Sequence, residues 1–121
     1  MSTPKDVVRE LVDAYNAKSL ERLLAIYRPD ARFWDPFHSD GVVGREEVAV
    51  VLRGLFESFP DERMSIVTLA ADETYAVAEF RSAGTARSGQ PFELEFTEVY
   101  EVKDGQIASC VVYIDTQEVP A

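Results

Sequence analysis

Strand-like segments fill the second half of this chain, after three helix-like segments in the first half. Four runs have the apolar alternation or apolar richness of strands: 64–70, 75–83, 92–102 and 107–115. Between the last two, Asp104-Gly105 is a strong hairpin signal. Because the strands follow the helices rather than alternate with them, the order favours an α+β fold with an antiparallel, strongly bent sheet.

The three segments of the first half carry apolar residues at helical spacing. The predicted helices run from Thr3 to about residue 17, from Ser19 to the residue before Pro29, and from Gly44 to the residue before Pro60. A short strand is predicted at residues 31–34, between the second and third helices. The apolar stripes of the helices are expected to cover one face of the sheet.

The length of 121 residues fits one compact domain, and we expect residues 1–121 to form a single domain. Hydrophobic residues make up 46% of the chain and charged residues 28%, which are ordinary values for a globular protein. No apolar stretch approaches the roughly 20 residues of a membrane span. The first residues lack the apolar run of a secretory signal. A cytoplasmic location is therefore expected.

The charge balance limits the partners that the chain can have. Lys and Arg total 12 against 22 Asp and Glu, which gives a formal net charge of −10. Such a field repels phosphate backbones and anionic membrane surfaces, so neither nucleic acid nor a membrane is expected as a partner. Cys110 and His38 are each the only residue of their type, and no cluster suggests metal ligands. Without a glycine-rich phosphate loop either, we expect no metal and no other cofactor.

Asp35 is the first candidate catalytic residue. It follows the predicted strand at 31–34 and precedes Pro36. A carboxylate next to strongly apolar residues is a candidate general base. The alternative is structural, because Asp before Pro commonly begins a turn, here toward the polar segment 39–41. The dipeptide by itself leaves both interpretations open.

Glu98 is the second candidate catalytic residue. Strict alternation over residues 92–102 places it on the apolar face of that strand. A carboxylate there must be paired, hydrogen-bonded or protonated, because an unpartnered charge in apolar surroundings is costly. The alternatives are an ion pair with Arg81 or Arg53, or a β-bulge that returns the side chain to solvent.

The order of the segments and their local motifs resemble a known superfamily. The motifs are V-V-R-E-L-V-D-A-Y-N-A-K-S-L-E-R-L-L-A-I-Y-R-P-D-A-R-F-W-D-P at 7–36, G-R-E-E-V at 44–48, and the terminal hairpins. Over essentially the whole chain they resemble the nuclear transport factor 2-like superfamily, in particular its ketosteroid isomerase and SnoaL-like branch. The resemblance implies an α+β fold in which a cone-shaped, curved, mixed or antiparallel sheet wraps around a long N-terminal helix. Two further helices and a mostly apolar cavity, open at one end, complete it.

The resemblance also implies roles for the two acids. Asp35 lies where ketosteroid isomerases have the aspartate that shuttles a proton between carbons, in the same Asp-Pro dipeptide. Glu98 lies where they have a second acid, held protonated to donate a hydrogen bond to the developing enolate oxygen. By the same pattern, Leu11 and Leu52 replace two tyrosines of the oxyanion site. Tyr15, one helical turn after Leu11, is a candidate for a displaced phenol donor.

Several further side chains are expected to contact a ligand in the cavity: Leu11, Tyr15, Tyr27, Leu52, Phe56, Phe96, Val112 and Ile114. Tyr27 lies on the apolar face of the second predicted helix and matches a network tyrosine of some members. For both tyrosines the alternative is core packing with the hydroxyl at a polar rim. His38 is a possible gate or acid-base group, and otherwise a solvated loop residue. Asp115 is a possible acid of the kind that SnoaL-like cyclases use, although strand parity turns it outward.

Two functions are consistent with these residues. The first is a cofactor-independent isomerase or cyclase acting on an apolar carbonyl compound such as a steroid or polyketide, with Asp35 as base and protonated Glu98 as enolate stabiliser. The second is a non-catalytic protein that binds a small apolar molecule or acts through its dimer surface. The resemblance implies a homodimer formed through the outer sheet face, where Val99, Val111 and Tyr113 are apolar candidates.

Overall fold

The computed structural model describes residues 2–120, which form three α-helices, six β-strands and one 3-10 helix. The α-helices are α1 Pro4–Asn16, α2 Leu20–Ile26 and α3 Arg45–Ser58. The strands are β1 Tyr27–Asp35, β2 His38–Val43, β3 Arg63–Ala71, β4 Tyr75–Thr85, β5 Pro91–Lys103 and β6 Gln106–Tyr113. The 3-10 helix is Thr116–Glu118. Within the described residues no helix has the length and apolar character needed to cross a membrane.

The six strands form one curved, open, mixed sheet in the order β2-β1-β6-β5-β4-β3. Adjacent strands are antiparallel except β1 and β6, which run parallel. The turn between β5 and β6 is the predicted hairpin, with both Asp104 and Gly105 in the left-handed region at φ 53° and 75°. Register shifts interrupt the β1–β2, β1–β6, β3–β4 and β5–β6 pairs, and such irregularities bend strands. The predicted α+β class and mixed sheet are confirmed.

Helix α1 packs its apolar face against β3, β4 and β5. It begins as predicted, with Pro4 at the first position and a reciprocal capping box between Thr3 and Asp6. The residues that the helical spacing assigned to the core are buried, and Val8 is fully so. With 13 residues, α1 is one residue shorter than α3, so it is not an unusually long helix.

Tyr27 belongs to β1 and not to the second helix, which ends at Ile26. The reason is tertiary: Tyr27 pairs with Ile107 of β6, and the Arg45 guanidinium donates to the Tyr27 carbonyl at 2.6 Å. These contacts replace the next helical turn. Pro29 therefore lies inside a strand rather than at a helix end.

The segment after Pro36 is a strand, β2, where a polar loop was expected. Its sequence carries little strand propensity, but it pairs with β1, with Phe33 opposite Val42. Gly41 has φ 79°, and a Cβ there would lie 2.5 Å from the indole nitrogen of Trp34. Glycine thus lets β2 pass close to the Trp34 ring, and the hairpin holds the end of β1 in place.

Candidate active site

A cavity of about 140 Å³ lies among α1, α3 and the inward faces of β1, β5 and β6. Most of the predicted ligand-contacting residues line it: Leu11, Tyr15, Tyr27, Leu52, Phe96, Val112 and Ile114. The lining also includes residues that the sequence did not single out: Leu23, Phe33, Phe37, Leu55, Phe59, Glu62, Met64, Phe92, Leu94 and Val119. Three acids, Asp35, Glu62 and Glu98, are part of this otherwise mainly apolar wall. None of the described lining residues is Lys, Arg or His.

Phe56, also predicted to contact a ligand, is not among the residues that line this cavity. Its ring instead packs against that of Tyr15, with 5.2 Å between centroids. Leu52, Leu55 and Phe59 provide the contribution of α3 and its C-terminal cap. Helical spacing predicted the buried stripe of α3, but not which edge of the stripe faces open space.

Asp35 ends β1 at the cavity wall, with 12% of its side chain exposed. Its Oδ1 accepts the backbone N–H of Phe37 at 2.8 Å, which closes the turn that Pro36 favours. His38 Nδ1 lies 2.8 Å from the same oxygen. No residue within 2–120 donates a hydrogen bond to Oδ2. The turn and the catalytic interpretations are therefore compatible, because Oδ1 holds the turn while Oδ2 stays free.

His38 orients the Asp35 carboxylate from the rim of the cavity. Because an ionised carboxylate can only accept hydrogen bonds, Nδ1 carries the hydrogen in this contact. His38 pairs with Asp35 across the β1–β2 hairpin, so the backbone register brings the two side chains together. The His38 side chain is 40% exposed and is not part of the cavity lining. It is placed to position Asp35 rather than to contact a ligand.

Glu98 lies on the inward face of β5 and lines the cavity, as the alternation of that strand predicted. Its Oε1 accepts hydrogen bonds from the Tyr100 hydroxyl at 2.7 Å and from the Cys110 thiol at 3.3 Å. No residue of the described chain donates to Oε2. Glu98 is thus anchored through one oxygen and leaves the other to the cavity.

The structural alternatives for Glu98 are not observed. Arg81 pairs with Glu95 on the opposite face of the sheet, at 2.9 Å. Across residues 2–120 no basic group lies within 4.0 Å of the Glu98 carboxylate. The β4–β5 register is also continuous through Glu98, which pairs with Ala78. The β5–β6 irregularity falls further along, at Glu101.

Burial raises the pKa of Glu98 above its ordinary value of 4.5. The hydrogen bonds from Tyr100 and Cys110 oppose this rise, and the nearby carboxylates Glu62 and Asp35 add to it. Burial also raises the pKa of Tyr100 and of Cys110, so both remain protonated donors. Neutral Glu98 therefore persists to higher pH, with its proton on Oε2, because Oε1 already accepts two hydrogen bonds.

The raised pKa of Glu98 makes the free energy of unfolding depend on pH. The group titrates near 4.5 in the unfolded chain but keeps its proton to higher pH in the folded protein. At pH values between the pKa of Glu98 in the unfolded chain and its raised pKa in the folded protein, the folded state binds more protons than the unfolded state. The free energy of unfolding therefore falls as pH rises through this range. Glu98→Gln cannot ionise and keeps an oxygen for Tyr100 and Cys110. The melting temperature of Glu98→Gln minus that of wild type is therefore expected to be larger at about pH 8 than at about pH 4.

The control for this measurement is Glu93→Gln, which neutralises an exposed acid on the outer face of the same strand. Its melting temperature should differ from that of wild type by a similar amount at both pH values. Parallel stability curves for wild type and Glu98→Gln would show that Glu98 ionises alike in the folded and unfolded chain.

Glu62 is the third acid of the cavity, and sequence reasoning missed it. It lies between α3 and β3 and is only 7% exposed. The Tyr15 hydroxyl donates to its Oε1 at 2.5 Å. Burial, and then the negative charge of Glu62, raise the pKa of Tyr15. Because Tyr15 donates its single hydroxyl hydrogen to the hydrogen bond with Glu62, it has no second hydrogen for the displaced enolate-donor role that the sequence suggested.

Asp115 lies outside the cavity. Its side chain accepts the backbone N–H of Gln117 at 3.0 Å and caps the 3-10 helix. With Tyr113 and Glu95 it lines a second groove, which shares Phe96, Val112 and Ile114 with the cavity wall. Asp115 is thus not among the residues that line the cavity, in agreement with its outward parity. Neither a periodic pattern nor a recognisable motif marked Glu62, which follows the Pro60-Asp61 helix end.

Comparisons with known proteins agree with this architecture. The model of the SnoaL-like domain family matches residues 8–110. A structure of an NTF2-like protein of unknown function from Burkholderia pseudomallei K96243 has a TM-score of 0.87 and 23% identity, covering 98% of this chain and 95% of that chain. Wild-type IdmH, a proposed polyketide cyclase from Streptomyces antibioticus, has a TM-score of 0.86 and 23% identity, covering 97% and 95%.

A third similar structure is a proposed SnoaL-like polyketide cyclase from Jannaschia sp. CCS1. Its TM-score is 0.85 at 19% identity, and the match covers 94% of this chain and 86% of that chain. At such identities the likeness to solved structures shows a shared fold. Comparison with curated proteins returned no significant match.

Proposed function

The chain belongs to the SnoaL-like domain family, and from this premise we propose that its cavity is the active site of a cofactor-independent isomerase or cyclase. The substrate is an apolar carbonyl compound. One observation carries the proposal: two acids with different surroundings line the same apolar cavity. Asp35 has one oriented oxygen and one free oxygen, whereas burial favours the neutral form of Glu98. In such a pair the two roles fall to different residues: Asp35 is the base and Glu98 is the hydrogen-bond donor.

Asp35 begins the reaction as general base. Its Oδ2 takes a proton from the carbon next to the carbonyl group, and the electron pair of the C–H bond moves into the enolate. In an isomerisation, protonated Asp35 returns that proton to another carbon of the substrate. In a cyclisation, the enolate carbon instead attacks a second carbonyl carbon of the same molecule. The π electrons of that C=O bond move to its oxygen, and protonated Asp35 gives its proton to this oxygen. His38 and the Phe37 N–H keep the carboxylate in one orientation throughout.

Glu98 stabilises the enolate through a hydrogen bond from its Oε2–H to the enolate oxygen. Tyr100 and Cys110 fix the carboxyl group by donating to Oε1, so the acidic hydrogen remains available to the cavity. Leu11 and Leu52 provide no donor where ketosteroid isomerases have tyrosines. With fewer donors on the enolate oxygen, we expect a slower enzyme than a site with a complete set.

The cavity volume limits the part of the substrate that the protein encloses. About 140 Å³ accommodates roughly one six-membered ring, because an engineered apolar cavity of about 150 Å³ binds benzene. A whole four-ring steroid does not fit inside without movement of the walls. Phe37 lines the cavity and is 60% exposed, so it marks the rim. We propose that one ring lies beside Asp35 and Glu98, and that any remaining part extends past Phe37.

The proposal is tested with a β,γ-unsaturated cyclohexenone, a single-ring ketone whose conjugated isomer absorbs in the ultraviolet. Isomerisation by wild type, together with deuterium uptake at the α-carbon in deuterated water, would report the proposed proton transfer. A purely ligand-binding protein would bind the ketone without either change. The absence of both signals, at ketone concentrations that saturate the cavity, would favour the binding function.

We also propose that the protein acts as a homodimer through the outer sheet face. Val77 pairs with Val99 and Val99 with Val111, so an apolar row crosses β4, β5 and β6. The row continues to Trp34 of β1, which pairs with Val111. Val77 is 41% exposed, and Tyr113 beside this row is 60% exposed. A second copy of the chain would cover these side chains.

Val99→Lys places a charge at the centre of this row and is expected to weaken dimerisation at least about tenfold, because two like charges would meet across the symmetric contact. Sedimentation velocity over a protein concentration series measures the dissociation constant. Val50→Lys is the matched control, since Val50 is 59% exposed on α3, away from the sheet. A monomeric wild type, or equal effects of the two substitutions, would contradict this interface.

A further inference from the structure

Glu62 offers a polar contact inside the cavity that the proposed proton transfer does not use. We propose that its carboxylate binds a hydroxyl group of the substrate, while Asp35 and Glu98 act at the carbonyl end. This inference rests on the function proposed above and narrows its substrate class. The substrate is then a neutral carbonyl compound that also carries a hydroxyl group, either phenolic or alcoholic.

The position of Glu62 is fixed by contacts on both sides. The Tyr15 hydroxyl binds its Oε1 at 2.5 Å, and the Lys18 ammonium donates to its backbone carbonyl. Its neighbour Asp61 accepts the backbone N–H of Thr85 at 3.0 Å and the Thr85 hydroxyl at 2.6 Å. The carboxylate is therefore held in one place before a ligand arrives, which reduces the entropy that binding must remove.

The Glu62 carboxylate is incompletely hydrogen-bonded by the protein. Tyr15 occupies Oε1, and none of the described residues donates to Oε2. Nor does a Lys, Arg or His of residues 2–120 lie within 4.0 Å of the carboxylate. A carboxylate has about four acceptor positions, and a buried one with a single donor is poorly compensated. Because Glu62 lines the cavity, a donor on the ligand can supply the missing hydrogen bond.

The surroundings of Glu62 favour a neutral hydroxyl donor. Three acids and no described basic residue line the cavity, so a carboxylate or phosphate on the ligand would be repelled. A ligand ammonium is disfavoured as well, because the Lys18 ammonium is bonded to the Glu62 carbonyl and lies 4.7 Å from the centre of the Tyr15 ring. The remaining donor that suits a small, mostly apolar molecule is a hydroxyl group.

The test compares acetophenone with its para-hydroxy derivative, a matched pair that differs by one hydroxyl group on a single ring. Dissociation constants are measured by calorimetry at neutral pH. Wild type is expected to bind the hydroxy compound at least about tenfold more tightly, as a hydrogen bond to a charged acceptor implies. Glu62→Gln keeps an oxygen for Tyr15 but turns its amide NH₂ to the ligand. The preference of this variant should fall to about threefold or less.

Tyr15→Phe distinguishes ligand binding by Glu62 from a merely structural role of the hydrogen bond between Tyr15 and Glu62. This variant keeps the Glu62 carboxylate but removes its one observed donor, so the preference for the hydroxy compound should increase. If Glu62 served only to anchor Tyr15, neither substitution would change the preference. Should Glu62→Gln fail to fold, Tyr15→Phe still decides, because an increased preference supports the proposal and an unchanged or lost preference overturns it.

Asp35→Asn shows whether the hydroxyl binds at Glu62 or at the proposed base. It should retain the preference for the hydroxy compound, and a preference lost in Asp35→Asn but kept in Glu62→Gln would overturn the assignment. Equal binding of the two acetophenones to wild type, or binding of neither, would overturn it too. The cyclohexenone assay is separate: its failure counts against the proton transfer, whereas failure of the acetophenone comparison counts against the role of Glu62.

Discussion

Asp35→Asn is expected to lower kcat for cyclohexenone isomerisation by about a hundredfold to ten-thousandfold, the usual contribution of a positioned general base. The amide has nearly the shape of the carboxylate, and its oxygen can still accept the N–H of Phe37 and the hydrogen of His38. It lacks the basicity that removes the α-proton. Ligand affinity should therefore change little, because shape and apolar contacts are retained. Initial rates and calorimetric binding of a conjugated, unreactive ketone measure the two effects separately.

Asp40→Asn is the matched control for Asp35→Asn. Asp40 lies in β2 of the same hairpin but is exposed and does not line the cavity. Its amide should leave kcat within about twofold of wild type, as for a surface substitution away from a site. Undiminished turnover in Asp35→Asn would end the proposed mechanism. Equal losses in both variants would point to the hairpin and not to the base.

Glu98→Leu is expected to reduce kcat by about a hundredfold to a thousandfold, as the loss of one enolate donor usually does. Glu98→Gln should lose less, because its amide N–H can still donate from the same position. The pH profile gives a second readout. Wild-type kcat should decline as pH rises through the elevated pKa of Glu98, since the ionised group cannot donate. In Glu98→Gln this decline should disappear, because the amide does not titrate there.

The comparison of leucine with glutamine distinguishes a hydrogen-bond donor from a packing residue. Leucine leaves the buried Tyr100 hydroxyl without its acceptor, so the folded fraction of each variant must be measured by thermal denaturation. If both variants lose turnover equally while remaining folded, donation by Glu98 is not the cause. An unchanged pH profile in Glu98→Gln would also contradict the assignment.

The Asp35-Pro36 dipeptide shows how sequence and structure contribute to one site. The sequence allowed a turn or a base, and it placed the acid at the end of a strand. The structure shows that Oδ1 closes the turn while Oδ2 remains free at the cavity. No sequence pattern reports which oxygen of a carboxylate is occupied. His38 joins Asp35 only because β2 pairs with β1, in a segment with little strand propensity of its own.

The alternation of residues 92–102 determined by itself that Glu98 faces inward, because successive side chains of a strand point to opposite faces. Helical spacing likewise determined the buried face of α1, and the order of segments determined the α+β class. These features follow from local periodicity, which a sequence carries directly. The chemistry of Glu98 follows in part, since an acid on an apolar face must change its protonation or find partners.

The tertiary structure alone decided which buried residues line the cavity and which hydrogen bonds its three acids form. Tyr27 belongs to β1 because it pairs with β6 and because Arg45 donates to its carbonyl. Phe56 packs on Tyr15 and does not line the cavity. Glu62 is the clearest case: it lies between α3 and β3, where no periodicity predicts the direction of a side chain. Tyr15, which donates to it, lies in α1, 47 residues away in the chain. Contacts between distant segments depend on how whole elements pack, and local patterns do not encode that packing.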